Sequence, residues 1–179
     1  SAASDVYKRQ VEELFTLAET PCEIPILKTA SLFSCLTSLR RSDISALRWE
    51  DIVDYSAGGK CVHIITQKTK TEDIIPISAE ALELVGYEPG KRGQVFKGLR
   101  VSWTQYPMKK WIASAGITKN ITFHSYRRTF ATLQAAAGTD PNTIRSMMAH
   151  KSITTTQRYV KVVDANKLEA SNKITLRRS

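Results

Sequence analysis

From Ile24 to Trp49 the chain reads IPILKTASLFSCLTSLRRSDISALRW, and its first part, up to Arg40, is strongly apolar and predicts a buried helix. The apolar residues of this part recur at helical spacing, which predicts one long helix. RSDISALRW then predicts a second, short helix, with Ser42 or Asp43 placed to cap its start. The core of the protein is therefore expected to be helical.

The sequence pattern changes on both sides of this run. Short β-rich segments at 51–55, 60–67 and 72–77 are separated by Gly58-Gly59 and by KTKT, which predicts a small antiparallel sheet of three strands. Further helices are predicted at 11–19, 78–84, 101–115, 125–137, 141–149 and 153–158. The expected fold class is α+β, mainly α-helical, with one small three-stranded antiparallel sheet.

The first ten residues, SAASDVYKRQ, show no apolar periodicity. We interpret residues 1–10 as a leader that is either non-native or disordered, and leave it out of the predicted fold. One domain is then expected over residues 11–179.

Composition narrows the class of partner. The 179 residues include 26 Lys and Arg against 17 Asp and Glu, a net charge of +9, which favours a polyanion such as nucleic acid. A solvated basic surface is the alternative. Cys22, Cys35 and Cys61 form no metal or disulfide pattern, which indicates a reducing cytosol. No run is long enough to span a membrane, and no acidic cluster suggests a metal or cofactor site.

Three short motifs carry residues of chemical interest. His124 and Arg127 lie three apart in FHSYRRTF, at the start of a predicted helix, so both project from one face. The pattern is short, and a capping His with a solvated Arg is its commoner explanation. Arg40 ends the apolar helix, where it either satisfies the helix C-terminus or is held by Asp43 and aimed at a phosphate.

Lys68 and Lys70 fall on the predicted turn between two strands, which is either solvated or inserted into a DNA groove. AHKSITTTQRYV, residues 149–160, places Tyr159 on a polar segment. A core Tyr would have apolar neighbours, so this one is either an idle surface residue or held out to meet a substrate. Tyr126, next to Arg127, is the second candidate for a reactive Tyr.

Together these residues resemble the tyrosine recombinases, the phage-type integrases. The family's catalytic order of Arg, Lys, His-x-x-Arg, His and Tyr matches Arg40, Lys68, His124, Arg127, His150 and Tyr159. The distance from Lys68 to Pro76 favours Lys68 over Lys70 for the family's Lys. ETPCEIPILK, LFSCLTSLRRSDI and TTTQRYVKV are most similar to integrases of Bacteroidetes mobile elements.

The resemblance implies an enzyme that breaks and rejoins DNA through a covalent 3′-phosphotyrosine link, without metal or cofactor. Tyr159 would be the nucleophile, Arg40 and Arg127 would stabilise the transition state, and Lys68 would protonate the leaving 5′-oxygen. His124 would act as base or orient the site, and His150 would donate a hydrogen bond to a non-bridging oxygen. Asp43 is expected to support Arg40. Further phosphate contacts are expected from Arg41, Lys70, Lys109, Lys110 and Arg128.

The resemblance also implies partners and a location. The expected partner is double-stranded DNA with attachment sites, bound by a homotetramer of the full-length protein in the bacterial cytoplasm, at the nucleoid when on DNA. The family's N-terminal core-binding domain is expected to be absent from this chain, because only residues 1–10 precede the first helix. The tail after Tyr159 is expected to dock on a neighbouring subunit, with docking on its own domain as the alternative.

Two positions depart from the family pattern. Ser38 stands where Gly is usual, which would strain the turn that aims Arg40, and Arg128 stands where His is common. Two other functions stay open from the sequence alone. One is a type IB topoisomerase, which shares this chemistry, and the other is a catalytically inactive DNA-binding module.

Overall fold

The computed structural model describes the backbone of residues 2–65, 70–149 and 157–179, and the side chains of 5–65, 70–149 and 164–179. The helices are α1 (Ala2–Glu19), α2 (Pro25–Thr37), α3 (Arg41–Ala46), α4 (Ala79–Leu84), α5 (Tyr106–Ser114), α6 (Ser125–Ala136), α7 (Pro141–Ala149) and α8 (Gln157–Ser171). The strands are β1 (Ile52–Asp54), β2 (Lys60–Ile65) and β3 (Glu72–Ile77), and 3₁₀ turns lie at Trp49–Asp51 and Val101–Thr104. None of these described helices combines the length and hydropathy that crossing a bilayer requires.

Helix α2 forms the centre of the core. Pro25 occupies its first turn, where a missing N–H costs nothing, and most of its later side chains are buried. Leu27, Phe33 and Leu36 are at most 1% exposed, and the Phe33 ring lies 5.5 Å from that of Phe96. Helix α2 packs against α6, α4 and β3, so it connects the helical part of the protein with the sheet.

The predicted sheet is confirmed, with strand order β1-β2-β3 and both pairs antiparallel. Ile52 pairs with Val62, and Lys60 pairs with Ile77. Gly58 and Gly59 have positive φ angles of 108° and 68° in the tight turn between β1 and β2, which is the backbone geometry that glycine favours. The sheet's buried face includes Val62 and packs on α2.

Several predicted helix boundaries are wrong. The long apolar helix expected to reach Arg40 ends at Thr37, because Ser38 takes the left-handed C-cap conformation. Helix α1 begins at Ala2 and not at Val11, although its side chains from Asp5 to Arg9 are exposed. These residues are therefore helical without being packed, which is why no apolar periodicity marks them. The origin of the leader as non-native sequence stays a prediction.

The helix predicted over 101–115 is divided at Gln105, whose ψ of −113° ends the 3₁₀ turn before α5 begins. Pro107 in the first turn of α5 favours a fresh helix start there. The predicted caps of α3 are also wrong. Arg40 is the N-cap residue, and Ser42 and Asp43 lie inside the helix.

The helix predicted over 153–158 lies partly outside the described residues, and α8 runs on from Gln157 to Ser171. The tail packs on its own domain in this single chain, and its docking on a neighbouring subunit stays a prediction. Ala170, Ile174 and Leu176 are buried, and the Leu176 N–H donates to Glu80 at 2.7 Å. The Arg178 Nε donates to Glu19 at 2.6 Å, which ties the end of the tail to α1.

Candidate active site

Arg127 lies at the meeting point of three helices. It extends from α6 and is only 8% exposed. Its Nε donates to the carbonyl of Ser38 at 2.8 Å, and its Nη2 donates to the carbonyl of Met148 at 2.8 Å. Because two backbone carbonyls hold the guanidinium, its plane is fixed relative to the end of α2 and the end of α7.

Arg40 lies close to Arg127 in the fold. Burial lowers the pKa of Arg127, and the positive charge of Arg40 lowers it further, while the buried Asp43 carboxylate opposes the shift. The two neighbouring cations repel each other, and a phosphate bound between them would relieve that repulsion. The structure therefore brings the two predicted arginines together and places the charge of Asp43 next to Arg127. Support of Arg40 itself by Asp43 stays a prediction.

Ser38 determines the backbone between these two arginines. It ends α2 with φ 68° and ψ 9°, in the left-handed region, and its side chain is fully buried. Its N–H donates to the carbonyl of Ser34 at 2.8 Å, and its own carbonyl accepts from Arg127. The positive φ explains why Gly suits this position and supports the prediction of strain at Ser38.

We expect Ser38→Gly to raise the free energy of unfolding by about 1 kcal/mol, because Gly removes the left-handed strain of an L-residue. Urea denaturation followed by circular dichroism measures the change. Ser31→Gly is the matched control, since Ser31 is also fully buried but sits in the helical part of α2. There Gly should cost about 0.5 kcal/mol or more. Destabilisation by Ser38→Gly would mean that the contacts of the Ser38 hydroxyl outweigh the strain.

His124 occupies the N-cap position of α6 with its side chain exposed. Its ring makes no capping hydrogen bond, so the simple capping role is not what the structure shows. Its carbonyl accepts from the Arg127 N–H at 3.2 Å. The His124 imidazole is therefore accessible to a bound substrate, in the same helical turn as the buried Arg127.

The other three predicted catalytic residues are only partly covered. Lys68 and His150 lie outside the described residues. The backbone of Tyr159 belongs to α8, and its side chain is outside the description. The chain nevertheless approaches Arg127 at the position just before His150, because the Met148 carbonyl binds that guanidinium. Helix α7 packs against both α6, which carries Arg127, and α8, which carries Tyr159.

The residues predicted to contact phosphate differ in their exposure and in whether they already have a partner within the protein. Lys70 and Lys109 are exposed, and Arg41 is partly buried on α3. Lys110 already pairs with Glu23 at 2.7 Å. Arg128 is exposed and donates through Nη2 to the Ser125 hydroxyl at 3.1 Å.

Arg100 is a candidate that the sequence interpretation missed. Its guanidinium lies 5.7 Å from the Trp103 ring, and it lines a small crevice that Arg41 also lines, beside α3. Phe123, which directly precedes His124, lies in the same crevice. Arg100 is thus an exposed cation close to Arg41, the neighbour of Arg40 in sequence. The three-residue spacing of Arg100 and Trp103 could have indicated their contact from the sequence.

Comparison with known proteins identifies the family of the chain. Residues 5–166 match the family described as "Phage integrase family". The chain is 29% identical over 183 residues to "Tyrosine recombinase XerC" of Syntrophus aciditrophicus (strain SB), covering 89% of this chain and 57% of that protein. It is 31% identical over 157 residues to "Tyrosine recombinase" of Pseudothermotoga lettingae, covering 83% of this chain and 53% of that protein.

A solved structure, "Integrase from mycobacterium phage Brujita", shares the fold with a TM-score of 0.69 at 22% identity, over 95% of this chain and 57% of that one. The chain therefore shares its fold, a mainly helical α+β domain with a small antiparallel sheet, with part of an integrase. The chain belongs to the phage integrase family, which confirms the predicted family. It spans a little over half the length of the curated relatives named above. The finer resemblance to Bacteroidetes elements stays a prediction.

Proposed function

We propose that this chain is the catalytic domain of a site-specific DNA recombinase that cleaves and rejoins DNA through a 3′-phosphotyrosine intermediate. The observation that carries the proposal is the convergence of Arg40 with the buried, carbonyl-held Arg127. Family membership supports it, since relatives that the chain matches carry the name tyrosine recombinase.

The paired arginines address the main difficulty of phosphodiester cleavage. The anionic oxygens of the diester repel a nucleophile, and charge increases further in the pentacoordinate transition state. Arg127 is already oriented by Ser38 and Met148, so it needs no reorganisation when the phosphate arrives. The repulsion between Arg40 and Arg127 is relieved by the same phosphate, which favours anion binding at this point.

The remaining steps use the other residues of the motif. The Tyr159 oxygen forms a bond to phosphorus while the bond from phosphorus to the 5′-oxygen breaks. A phenol has a pKa of about 10, so His124 accepts its proton or orients it. Lys68 protonates the departing 5′-oxygen, and His150 donates a hydrogen bond to a non-bridging oxygen. A 5′-hydroxyl of a second strand then attacks the phosphotyrosine and releases Tyr159 without ATP.

Double-stranded DNA is the proposed substrate, and attachment sites on it the proposed targets. The net charge of +9 provides the general attraction to phosphates. In the family's manner, four full-length subunits assemble on paired sites in the cytoplasm, at the nucleoid when bound.

The test is a suicide duplex with a nick placed so that the short 5′-hydroxyl fragment leaves after cleavage and cannot return. A covalent protein–DNA band on a denaturing gel supports the proposal. The absence of such a band at high protein concentration, with DNA binding intact, would instead identify a non-catalytic DNA-binding module. Relaxation of supercoiled plasmid without any product from two paired sites would favour a topoisomerase.

Lys68→Ala is expected to slow cleavage about 100-fold, since the 5′-oxygen is then expelled without a proton. A 5′-thio leaving group should restore the rate, because a thiolate leaves unprotonated. Lys70→Ala, two residues along the chain, is the matched control and should cleave both substrates normally at saturating protein. Failure of the thio substrate to rescue Lys68→Ala would mean either that Lys70 is the acid or that Lys68 acts only through its charge.

DNA binding by these 179 residues should be mainly electrostatic, with a dissociation constant of roughly 10⁻⁴ to 10⁻⁶ M at physiological salt. Arg100→Ala should reduce the slope of log affinity against log salt by about one, as expected for one lost phosphate contact. Lys119→Ala is the control, because Lys119 already pairs with Glu13 at 2.9 Å. Fluorescence anisotropy across a salt series measures both. An unchanged slope for Arg100→Ala would place Arg100 outside the DNA contact.

A further inference from the structure

Helix α8, which includes Tyr159, is fixed to the sheet by a group of polar side chains that the proposed chemistry does not use. These are Tyr55, Ser56, Cys61, Asp164 and Lys167, called here the Asp164 cluster. The Ser56 hydroxyl donates to the Asp164 Oδ2 at 2.6 Å. Tyr55, Cys61 and Lys167 are each at most 7% exposed.

The Asp164 charge affects the pKa of each buried member of the cluster. Burial raises the pKa of Tyr55, and the Asp164 carboxylate raises it further. The pKa of Cys61 rises to about 11 through burial and the same carboxylate. Burial lowers the pKa of Lys167, and Asp164 opposes that shift. Asp164 therefore lies at the centre of the cluster, next to Tyr55 and Ser56 of the β1–β2 turn and Cys61 of β2.

The contact continues along α8 through apolar packing. Leu168 lies over Gly58 and Gly59, where an added Cβ would stand 3.9 and 3.6 Å from its methyl groups. Farther on, the Gln134 side chain donates to the carbonyl of Ala170 at 3.0 Å. The C-terminal part of α8 is thus held by contacts that do not involve Asp164.

Asp164 lies closer to Tyr159 along α8 than the other described contacts do, so it restricts the position of Tyr159 more strongly. It is five residues beyond Tyr159, about 7.5 Å along the helix axis, whereas Lys167 and Leu168 lie about 12 Å or more away. Without Asp164, a tilt of about 5° around the more distant contacts would move the backbone at Tyr159 by about 1 Å. Displacements of about 1 Å at a reacting group can reduce rates about 100-fold.

The turn that receives Asp164 also leads toward the proposed acid. Strand β2 begins at Lys60, directly after the turn, and ends at Ile65, immediately before the segment that contains Lys68. The Asp164 cluster therefore joins the helix of the proposed nucleophile to the strand that precedes the proposed acid.

We propose that Asp164 is a positioning residue, which holds the middle of α8 on the β1–β2 turn and so fixes the direction of the N-terminal half of the helix, so that Tyr159 stays in line with the phosphate. The proposal rests on the proposed function, since it assigns Asp164 a role in that reaction. Asp164 acts through α8 and not through a contact with DNA.

The test uses two variants that each remove one negative charge from α8. Asp164→Asn weakens the cluster, whereas Glu169→Gln changes an exposed residue that pairs only at 3.6 Å with Lys173 on the surface. Adduct formation on the suicide duplex is measured in single turnover at saturating protein. We expect Asp164→Asn to be about 10- to 100-fold slower with unchanged DNA affinity, and to melt at a somewhat lower temperature because the buried Lys167 loses a compensating charge. Glu169→Gln should match the wild type.

A reversed pair provides a rescue. Ser56→Asp combined with Asp164→Ser restores a carboxylate–hydroxyl hydrogen bond between the same two positions, and should recover most of the lost rate. Cleavage by Asp164→Asn at the wild-type rate would overturn the proposal. A loss of cleavage that parallels equal losses of DNA affinity and melting temperature would also overturn it, because Asp164 would then only stabilise the fold.

Hydrogen exchange separates this proposal from the proposed function. Asp164→Asn should speed amide exchange at residues 157–163 while the amides of α2 and α6 keep their protection. If the wild type forms no adduct, the proposed function fails, but the exchange result still applies to the anchoring of α8. Unchanged exchange over 157–163 would show that Asp164 does not fix the N-terminal half of the helix.

Discussion

Tyr159→Phe is expected to abolish the covalent protein–DNA adduct while DNA binding and folding stay intact. Phe keeps the ring and removes only the oxygen that would bond to phosphorus, so no partial chemistry remains. The measurement is the suicide-duplex assay, with anisotropy for binding and circular dichroism for folding. Residual adduct at any level above background would count against Tyr159 as the nucleophile.

Two other tyrosines serve as controls. Tyr126, which the sequence made the second candidate, is 2% exposed and packs edge-on against Phe123 with ring centroids 4.9 Å apart. Burial raises its pKa, which disfavours the phenolate that would attack phosphorus. Tyr106 is 71% exposed and lies near Arg100 in sequence. Tyr126→Phe and Tyr106→Phe should both retain the adduct. If Tyr159→Phe still forms it, Tyr106 becomes the next residue to test, because Tyr126 is enclosed.

The parts of the fold that could be predicted are those with local causes. The strands were recognisable because β-rich runs alternate with Gly58-Gly59 and the KTKT turn, and β-turn chemistry depends on residues that are adjacent in sequence. The helical core was recognisable from the apolar spacing of α2. Helix ends were less predictable: exposed residues continue α1 to Ala2, and Arg40 takes the cap position that Ser42 and Asp43 were expected to fill.

The residue types of the site could be predicted from the sequence, but the contacts that hold them in place could not. The order of residue types suggested that Arg40 and Arg127 serve one site, and Arg127 binds the Ser38 carbonyl two residues before Arg40, where the Arg40 charge lowers its pKa. The groups that hold Arg127, however, are the carbonyls of Ser38 and Met148, and a backbone acceptor leaves no trace in residue type. The Asp164 cluster was equally hidden, because Ser56 and Asp164 become neighbours only when α8 folds back on the sheet.

Replacing Arg40 or Arg127 by Lys should slow cleavage about 100-fold or more, since Lys keeps the charge but loses the planar fork that grips two phosphate oxygens. Arg127→Lys should be the more damaging of the two. A Lys cannot reproduce both bonds to Ser38 and Met148, and a buried carbonyl left without its donor costs about 1–3 kcal/mol. We therefore expect a lower melting temperature for Arg127→Lys and an unchanged one for Arg40→Lys.

The controls are the adjacent arginines. Arg41→Lys and Arg128→Lys change the same residue type one position away, on α3 and α6, and should cleave nearly as fast as the wild type. Single-turnover rates at saturating protein separate this effect from weaker DNA binding. Near-normal cleavage by both Arg40→Lys and Arg127→Lys would show that these residues are ordinary phosphate contacts.

The double variant tests whether the two arginines act on one phosphate. If both stabilise the same transition state, the loss in Arg40→Lys with Arg127→Lys should be smaller than the product of the two single losses, because groups that act as a unit are not additive. Fully multiplicative losses would mean that each arginine meets a different phosphate. That outcome would separate Arg40 from Arg127 in function although their charges are close enough to repel in the folded chain.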